Sequence, residues 1–186
     1  VNGTARYEPF FDRAVMAAAV EAALQKAGLE LTGYMGPRSI IRAFPAEGVA
    51  AFLSKSRKDV MFLPFDHGEL CLTYAPYARI TDYWTDKLDI GISLARCDGM
   101  DAAIEILKAF VLETHFFFGQ ANQEAVTGTP SFGGMNPHYV DVPKVGMANY
   151  FGPEYIKYFG GRDRFETAPD LSVRTLGDGI LTKLGP

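Results

Sequence analysis

The segment from Lys144 to Gly161, KVGMANYFGPEYIKYFGG, constrains the fold of this chain more than any other. An apolar run over residues 145–150 predicts a short buried strand, and Gly152-Pro153 then interrupts it. Proline is tolerated best at the first position of a helix, and Gly160-Gly161 favours a left-handed helix end. The segment therefore predicts a strand, a tight corner and a short helix in which Tyr155 and Phe159 face inward.

The composition is typical of a globular domain. Hydrophobic residues make up 48% of the 186 residues and charged residues 22%, so we expect a single domain over residues 1–186, with 1–80 and 81–186 as possible sub-halves. The net charge of -4 argues against nucleic acid as a ligand, because phosphate binding needs clustered Lys and Arg. No apolar run is long enough to span a membrane and no secretory signal is recognisable, so we expect no membrane association and a cytoplasmic location.

Apolar residues at helical spacing predict three further helices. One is expected over residues 46–54. Another follows Asp98 as its N-cap, and its inner stripe is expected to contain Ile104, Leu107, Phe110, Val111 and Thr114 or His115. The first is expected over residues 9–26, and its buried face is predicted to consist of Phe10, Phe11, Ala14, Val15, Ala18 and Ala22.

Extended segments account for most of the remaining chain. Turn residues predict two hairpins, one around Asp66-His67-Gly68 and one around Gly177-Asp178-Gly179. Residues 77–86 lack a clear period and are expected to be irregular. Further strands are predicted over residues 29–34, 39–44, 89–94 and 116–126. This order predicts an α+β fold, an antiparallel β-sheet with helices packed against it. It suits helices on one side, but whether they cover one face or both stays open, as does an arrangement of two pseudo-repeated halves.

Sequence motifs for catalysis or cofactor binding are missing. The phosphate-binding, dinucleotide-binding and nucleophile-elbow patterns are all absent, so we expect no cofactor, no metal and no catalytic residue. Asp82, Asp86 and Asp89 lack the spacing and the glycine of a calcium loop. One enzymatic alternative stays open, a small pocket in which Cys97 pairs with His115 or His138.

Two segments have the composition of a protein-protein contact. Tyr and Trp are frequent interface anchors, and the single Trp of the chain lies among aspartates in residues 79–86. A packing role for Trp84 beneath a loop is the competing interpretation. The long loop over residues 127–143 is the second candidate, since loops of this length are often functional. The predicted partner-binding residues are Asp82, Tyr83, Trp84, Asp86, Met135, Asn136, His138 and Tyr139.

The C-terminal half resembles a known family. Residues 148–161, followed by 162–165 and by the hairpin at 176–181, look like the C-terminal part of bacterial immunity proteins of the immunity protein 52 kind. The strand from Asp89 and the helix after Asp98 fit the same layout. These proteins accompany polymorphic toxins and type VI secretion effectors.

The resemblance implies an inhibitor that binds a cognate bacterial toxin, often a nuclease, and blocks it by protein-protein contact. Such a protein needs a complementary surface and no catalytic constellation. The Cys/His enzyme remains the alternative function, and a module that self-associates through aromatic surface is a third hypothesis.

Overall fold

The computed structural model describes residues 1–7, 13–36, 40–56, 60–66, 68–80, 83–94, 99–122 and 146–185. Among these residues, no helix is long and apolar enough to cross a membrane. The helices are α1 Arg13–Lys26, α2 Gly48–Lys55, α3 Met100–Thr114, α4 Pro153–Tyr158 and α5 Asp163–Glu166. The strands are β1 Asn2–Tyr7, β2 Tyr34–Met35, β3 Ile41–Arg42, β4 Val60–Phe65, β5 Gly68–Ile80, β6 Tyr83–Leu94, β7 Phe116–Ala121, β8 Ala148–Phe151, β9 Leu171–Leu176 and β10 Gly179–Leu184.

One large antiparallel sheet organises the described residues. Its eight strands have the order β4-β5-β6-β1-β7-β8-β10-β9, and β2 pairs with β3 in a separate small sheet. Every neighbouring pair in the large sheet is antiparallel, which confirms the predicted α+β class. Strand β6 lies between β5 and β1, so strands from both predicted sub-halves interleave in one sheet.

Helices lie against both faces of the sheet, a point that the sequence left open. Successive side chains of a strand point to opposite faces. Tyr150 belongs to the large core cluster with α1 and α3, while Phe151 belongs to the smaller cluster with α4 and α5. Leu181 and Ile180 divide in the same way. We refer to the two sides as the α1/α3 face and the α4/α5 face.

The α4/α5 face is held together by aromatic rings. Phe151 lies at the centre, with ring centroids 5.6 Å from Phe118, 6.2 Å from Tyr155, 6.0 Å from Phe159 and 5.0 Å from Phe165. Aromatic pairs at these separations add to the stabilisation from burial. The cluster therefore fastens both short helices to strands β7, β8 and β10.

The strand, corner and helix predicted from the Lys144–Gly161 segment are confirmed. Pro153 opens α4, and Tyr155 is buried. The helix ends at Tyr158, and Gly160 and Gly161, which follow its C-cap Phe159, have φ angles of 89° and 105°. At the corner, the Gly152 backbone nitrogen donates to the Phe117 carbonyl at 2.9 Å, and a Cβ at Gly152 would lie 2.9 Å from that oxygen. Glycine permits this close approach of two strands.

The predicted buried face of α1 is wrong. Val15 is 61% exposed and Ala14 and Ala18 are also exposed, while Phe10 and Phe11 lie outside the described residues. The helix buries a different set, consisting of Met16, Ala17, Val20, Ala23 and Leu24. Because α1 carries Ala and Val on every side, its own period does not select a face; the larger Met16 and Leu24 fill the core.

The ends of α3 also differ in part from the prediction. Gly99, with a φ of 102°, precedes the helix, and Asp98 lies outside the described residues. The inner stripe is confirmed, since Ile104, Leu107, Phe110, Val111 and Thr114 are all buried. His115 is exposed and adopts the left-handed conformation just after the helix, so the stripe ends at Thr114.

The early strands are shorter than expected. Between residues 29 and 34 only Tyr34 enters a strand, and Leu31 makes a single bridge to Phe65. Ile41 and Arg42 are the only residues of the predicted 39–44 strand that pair. The hairpins formed by β4 with β5 and by β9 with β10 are confirmed.

Candidate binding surface

The hairpin of β5 and β6 is much longer than expected. Its strands contain 13 and 12 residues, and the prediction that residues 77–86 are irregular is wrong. The backbone pairs Ile80 with Tyr83 and Arg79 with Trp84, after a register shift between Ala75 and Ala78. A bulge of this kind explains why the sequence period was unclear, because one extra residue reverses the alternation.

The far end of this hairpin extends past its neighbours in the described sheet. Strand β4 pairs with β5 only as far as Thr73, and β1 pairs with β6 only as far as Asp86. Tyr83 and Trp84 therefore lie on a two-stranded arm, which we call the β5–β6 arm, from Ala78 to Thr85. Asp86 lies at its base, opposite Tyr7.

The position of the other predicted contact residues relative to the arm is not described. Asp82, Met135, Asn136, His138 and Tyr139 lie outside the described residues, as does the rest of the 127–143 loop. The arm gives a defined backbone position to Tyr83, Trp84 and Asp86 only. A contact role for all eight residues stays a prediction.

A row of paired residues crosses the α4/α5 face from one edge of the sheet to the other. Its members, in strand order, are Phe62, Cys71, Gly91, Asn2, Gln120, Asn149, Thr182 and Val173. Gln120, Asn149 and Thr182 are buried, whereas Phe62 at the β4 end is 40% exposed. Along this row, the α4/α5 face therefore changes from a buried half at β7, β8 and β10 to an exposed half at β4.

The buried part of this row is polar and mainly structural. Asn149 Oδ1 accepts from the Gly146 backbone nitrogen at 2.8 Å, and Asn149 Nδ2 donates to the Gly146 carbonyl at 2.9 Å. Thr182 Oγ1 donates to the Asn149 carbonyl at 3.3 Å. Gln120 Oε1 is buried without a hydrogen-bond partner in the described part of the chain. Asn149 thus fixes the approach of the chain to β8.

The open part of the face is apolar. Val60 is 45% exposed and Phe62 40% exposed, and both alternate with the buried Met61 and Leu63. Cys71 and Thr73, their partners on β5, are half-buried. We call Val60, Phe62, Pro64, Glu69, Cys71 and Thr73 the β4–β5 patch.

Sequence reasoning missed this patch. Strand β4 is VMFLPF, which is apolar at every position, so its pattern does not show which side chains face solvent. The usable signal was the lack of any charge on a strand near the sheet edge, where natural proteins commonly place one. Its exposed aromatic and aliphatic side chains give the face a surface suited to protein contact.

Burial raises the pKa of two side chains in the described residues, Cys71 and Tyr150. Burial is the main cause that raises the pKa of the Cys71 thiol, so this thiol is kept protonated and is not activated as a nucleophile. Burial also raises the pKa of Tyr150, helped by its hydroxyl donating to Asp178 Oδ1 at 2.8 Å. This bond attaches the β9–β10 turn to β8.

The components of the Cys/His alternative are not assembled in the described part of the chain. Cys97 and His138 lie outside it, and His115 is exposed at the end of α3. Among the described residues, no group of three or more His, Cys, Asp or Glu side chains is placed to hold a metal ion. The Cys/His alternative therefore stays a prediction.

The fold and the surface define an α+β protein with one antiparallel sheet, helices on both faces and an open apolar half-face. No protein-family model and no curated protein matches the sequence. The fold is similar to the solved structure of the Pseudomonas aeruginosa type VI secretion system (T6SS) protein PA0821, with a TM-score of 0.61 over 99% of this chain and 68% of that chain. At 11% sequence identity the similarity shows a shared fold alone.

Proposed function

We propose that this chain is an immunity protein that binds a cognate bacterial toxin and neutralises it by protein-protein contact. The observation that carries the proposal is the fold similarity to a T6SS protein, which extends along 99% of the chain. The resemblance of the C-terminal half to immunity proteins of polymorphic toxin systems supports the same assignment. The proposed toxin is a nuclease-type toxin or a T6SS effector.

Two surface features suit such a role. The β5–β6 arm extends beyond the strands that pair with its base, so it can enter a cleft of a partner. Aromatic residues such as Tyr83 and Trp84 are favoured anchors in protein interfaces. In the proposal, Asp82, Tyr83, Trp84 and Asp86 form one contact group, and Met135, Asn136, His138 and Tyr139 form a second.

A protein of this kind needs no reaction centre. The described cysteine is held as a neutral thiol by burial, and the described histidine is a helix-end residue at the surface. Inhibition by binding requires only a complementary and stable surface. The rigid sheet with helices on both faces supplies a scaffold for one.

Co-expression tests the proposal directly. The chain is produced in cells together with the toxin-like protein encoded beside its own gene, and survival and co-purification are scored. Rescue with a stable complex is the expected result. Growth arrest without any complex would refute the assignment.

Two variants then locate the contact. Trp84→Ala is expected to weaken rescue. Tyr158→Ala on α4 serves as the control, because it also removes an aromatic ring. Tyr158 is 52% exposed and lies far along the chain from the arm. Rescue by Trp84→Ala at the wild-type level would keep the function and discard the arm as its contact.

A further inference from the structure

The β4–β5 patch lies on the half of the α4/α5 face that no described helix covers. On the other half, α4 and α5 pack their rings against Phe118 and Phe151. On the patch, Val60 and Phe62 keep nearly half of their surface exposed. Exposed apolar side chains that adjoin one another on a flat strand surface are typical of protein contacts.

The patch is flanked by acidic groups. In residues 60–66, 68–74 and 90–94, which form this half of the sheet, the charged residues are Asp66 and Glu69. Glu69 is the Cα partner of Pro64 and lies on the same face as Cys71 and Phe62. Within the described residues, Glu69 forms no ion pair. Its carboxylate also contributes to the raised pKa of the Cys71 thiol, which places its charge beside the patch.

We infer that the β4–β5 patch is a docking surface for the effector, and that it takes a segment with an apolar side chain next to a Lys or Arg. The apolar side chain packs on Val60 and Phe62, and the basic side chain reaches Glu69. Diagonal neighbours on adjacent strands are about 7–8 Å apart, so one long basic side chain spans from Phe62 to Glu69. The inference rests on the proposed function and adds to it the chemistry of the partner.

Charge complementarity favours an effector over a second copy of this chain. Two copies meeting through this patch would bring their Glu69 carboxylates together, and like charges in contact oppose association. The net charge of -4 acts in the same direction at longer range. A basic partner would be attracted both by the acidic charge at the patch and by the negative net charge of the chain.

The test compares matched variants for binding to the purified, catalytically inactivated toxin-like protein encoded beside this chain. Phe62→Ser removes the apolar contact and Glu69→Lys reverses the charge. Leu112→Ser and Glu105→Lys make the same changes on α3, which packs on the opposite face, where Leu112 is also exposed and Glu105 has only an exposed ion pair with Lys108. Dissociation constants are measured by titration calorimetry, and thermal melting checks that each variant is folded.

Phe62→Ser and Glu69→Lys are each expected to weaken binding about 10-fold or more, and the α3 variants by less than about 2-fold. Rising salt is expected to weaken the wild-type complex more than the Glu69→Lys complex. If folded patch variants bind like the α3 variants, the inference is overturned while the proposed function stands.

Two other outcomes also overturn the inference. Failure of the wild-type chain both to bind and to rescue removes the proposed function together with this surface. A wild-type dimer that Phe62→Ser converts to a monomer, with toxin binding unchanged, assigns the patch to self-association.

Discussion

Replacement of Phe151 by alanine tests whether the aromatic cluster fastens α4 and α5 to the sheet. Phe151 is 6% exposed, and its ring lies 5.0–6.2 Å, centroid to centroid, from Phe118, Tyr155, Phe159 and Phe165. Truncation of a buried phenylalanine to alanine typically costs about 3–5 kcal/mol in the free energy of unfolding. Four ring neighbours place this residue in the upper part of that range. Since single domains have only about 5–15 kcal/mol in total, the variant is expected to be folded but marginal.

Urea denaturation followed by circular dichroism measures this loss. With an m-value of about 2 kcal/mol/M, the midpoint is expected to fall by about 2–2.5 M. Tyr158→Ala on the same helix is the control, because Tyr158 is 52% exposed and is expected to shift the midpoint by less than about 0.5 M. A loss below about 1 kcal/mol for Phe151→Ala, or equal losses for both variants, would refute the packing described for this face.

Two further predictions concern buried polar groups. Asn149→Ala removes both hydrogen bonds to Gly146 and leaves the backbone donor and acceptor of Gly146 without these partners. The free energy of unfolding, measured by urea denaturation, is expected to fall by about 2–4 kcal/mol. A loss below about 0.5 kcal/mol would contradict this role. The pKa of Tyr150 is raised above its ordinary value of 10.0 in the folded state, so its contribution to stability is complete below that value and is lost as the pH rises further. The free energy of unfolding of the wild type is therefore expected to fall more steeply above about pH 10 than that of Tyr150→Phe, and parallel pH profiles would exclude this role.

The local signals in the sequence were sufficient for part of the fold. Pro153 favours the first position of a helix, and Gly160-Gly161 adopt positive φ angles that few other residues adopt, so the corner and the helix end were predictable without knowledge of the neighbours. Gly177-Asp178-Gly179 specified the last hairpin for the same reason. The stripe of α3 was predictable because its polar residues mark the outer face.

Other features depend on contacts between distant segments. The buried face of α1 is selected by α2, α3 and the sheet, since Ala and Val occur on every side of the helix. The strand order places β6 between β5 and β1, and no local pattern encodes that arrangement. The exposure of Val60 and Phe62 likewise follows from where α4 and α5 end, far along the chain. For this reason the β4–β5 patch could not be found from the sequence alone.

The position of β1 has a consequence for the order of events during synthesis. Strand β1 precedes every other described strand in the sequence but is an interior strand of the sheet, paired with β6 on one side and β7 on the other. Strand β6 is complete at residue 94 and β7 only at residue 121, so β1 cannot pair on both sides until most of the given sequence has been translated. Pairing over such distances slows folding and leaves strand edges unprotected meanwhile. A protein of this design closes its sheet late, and a truncated product that ends before β7 carries an unfilled interior edge.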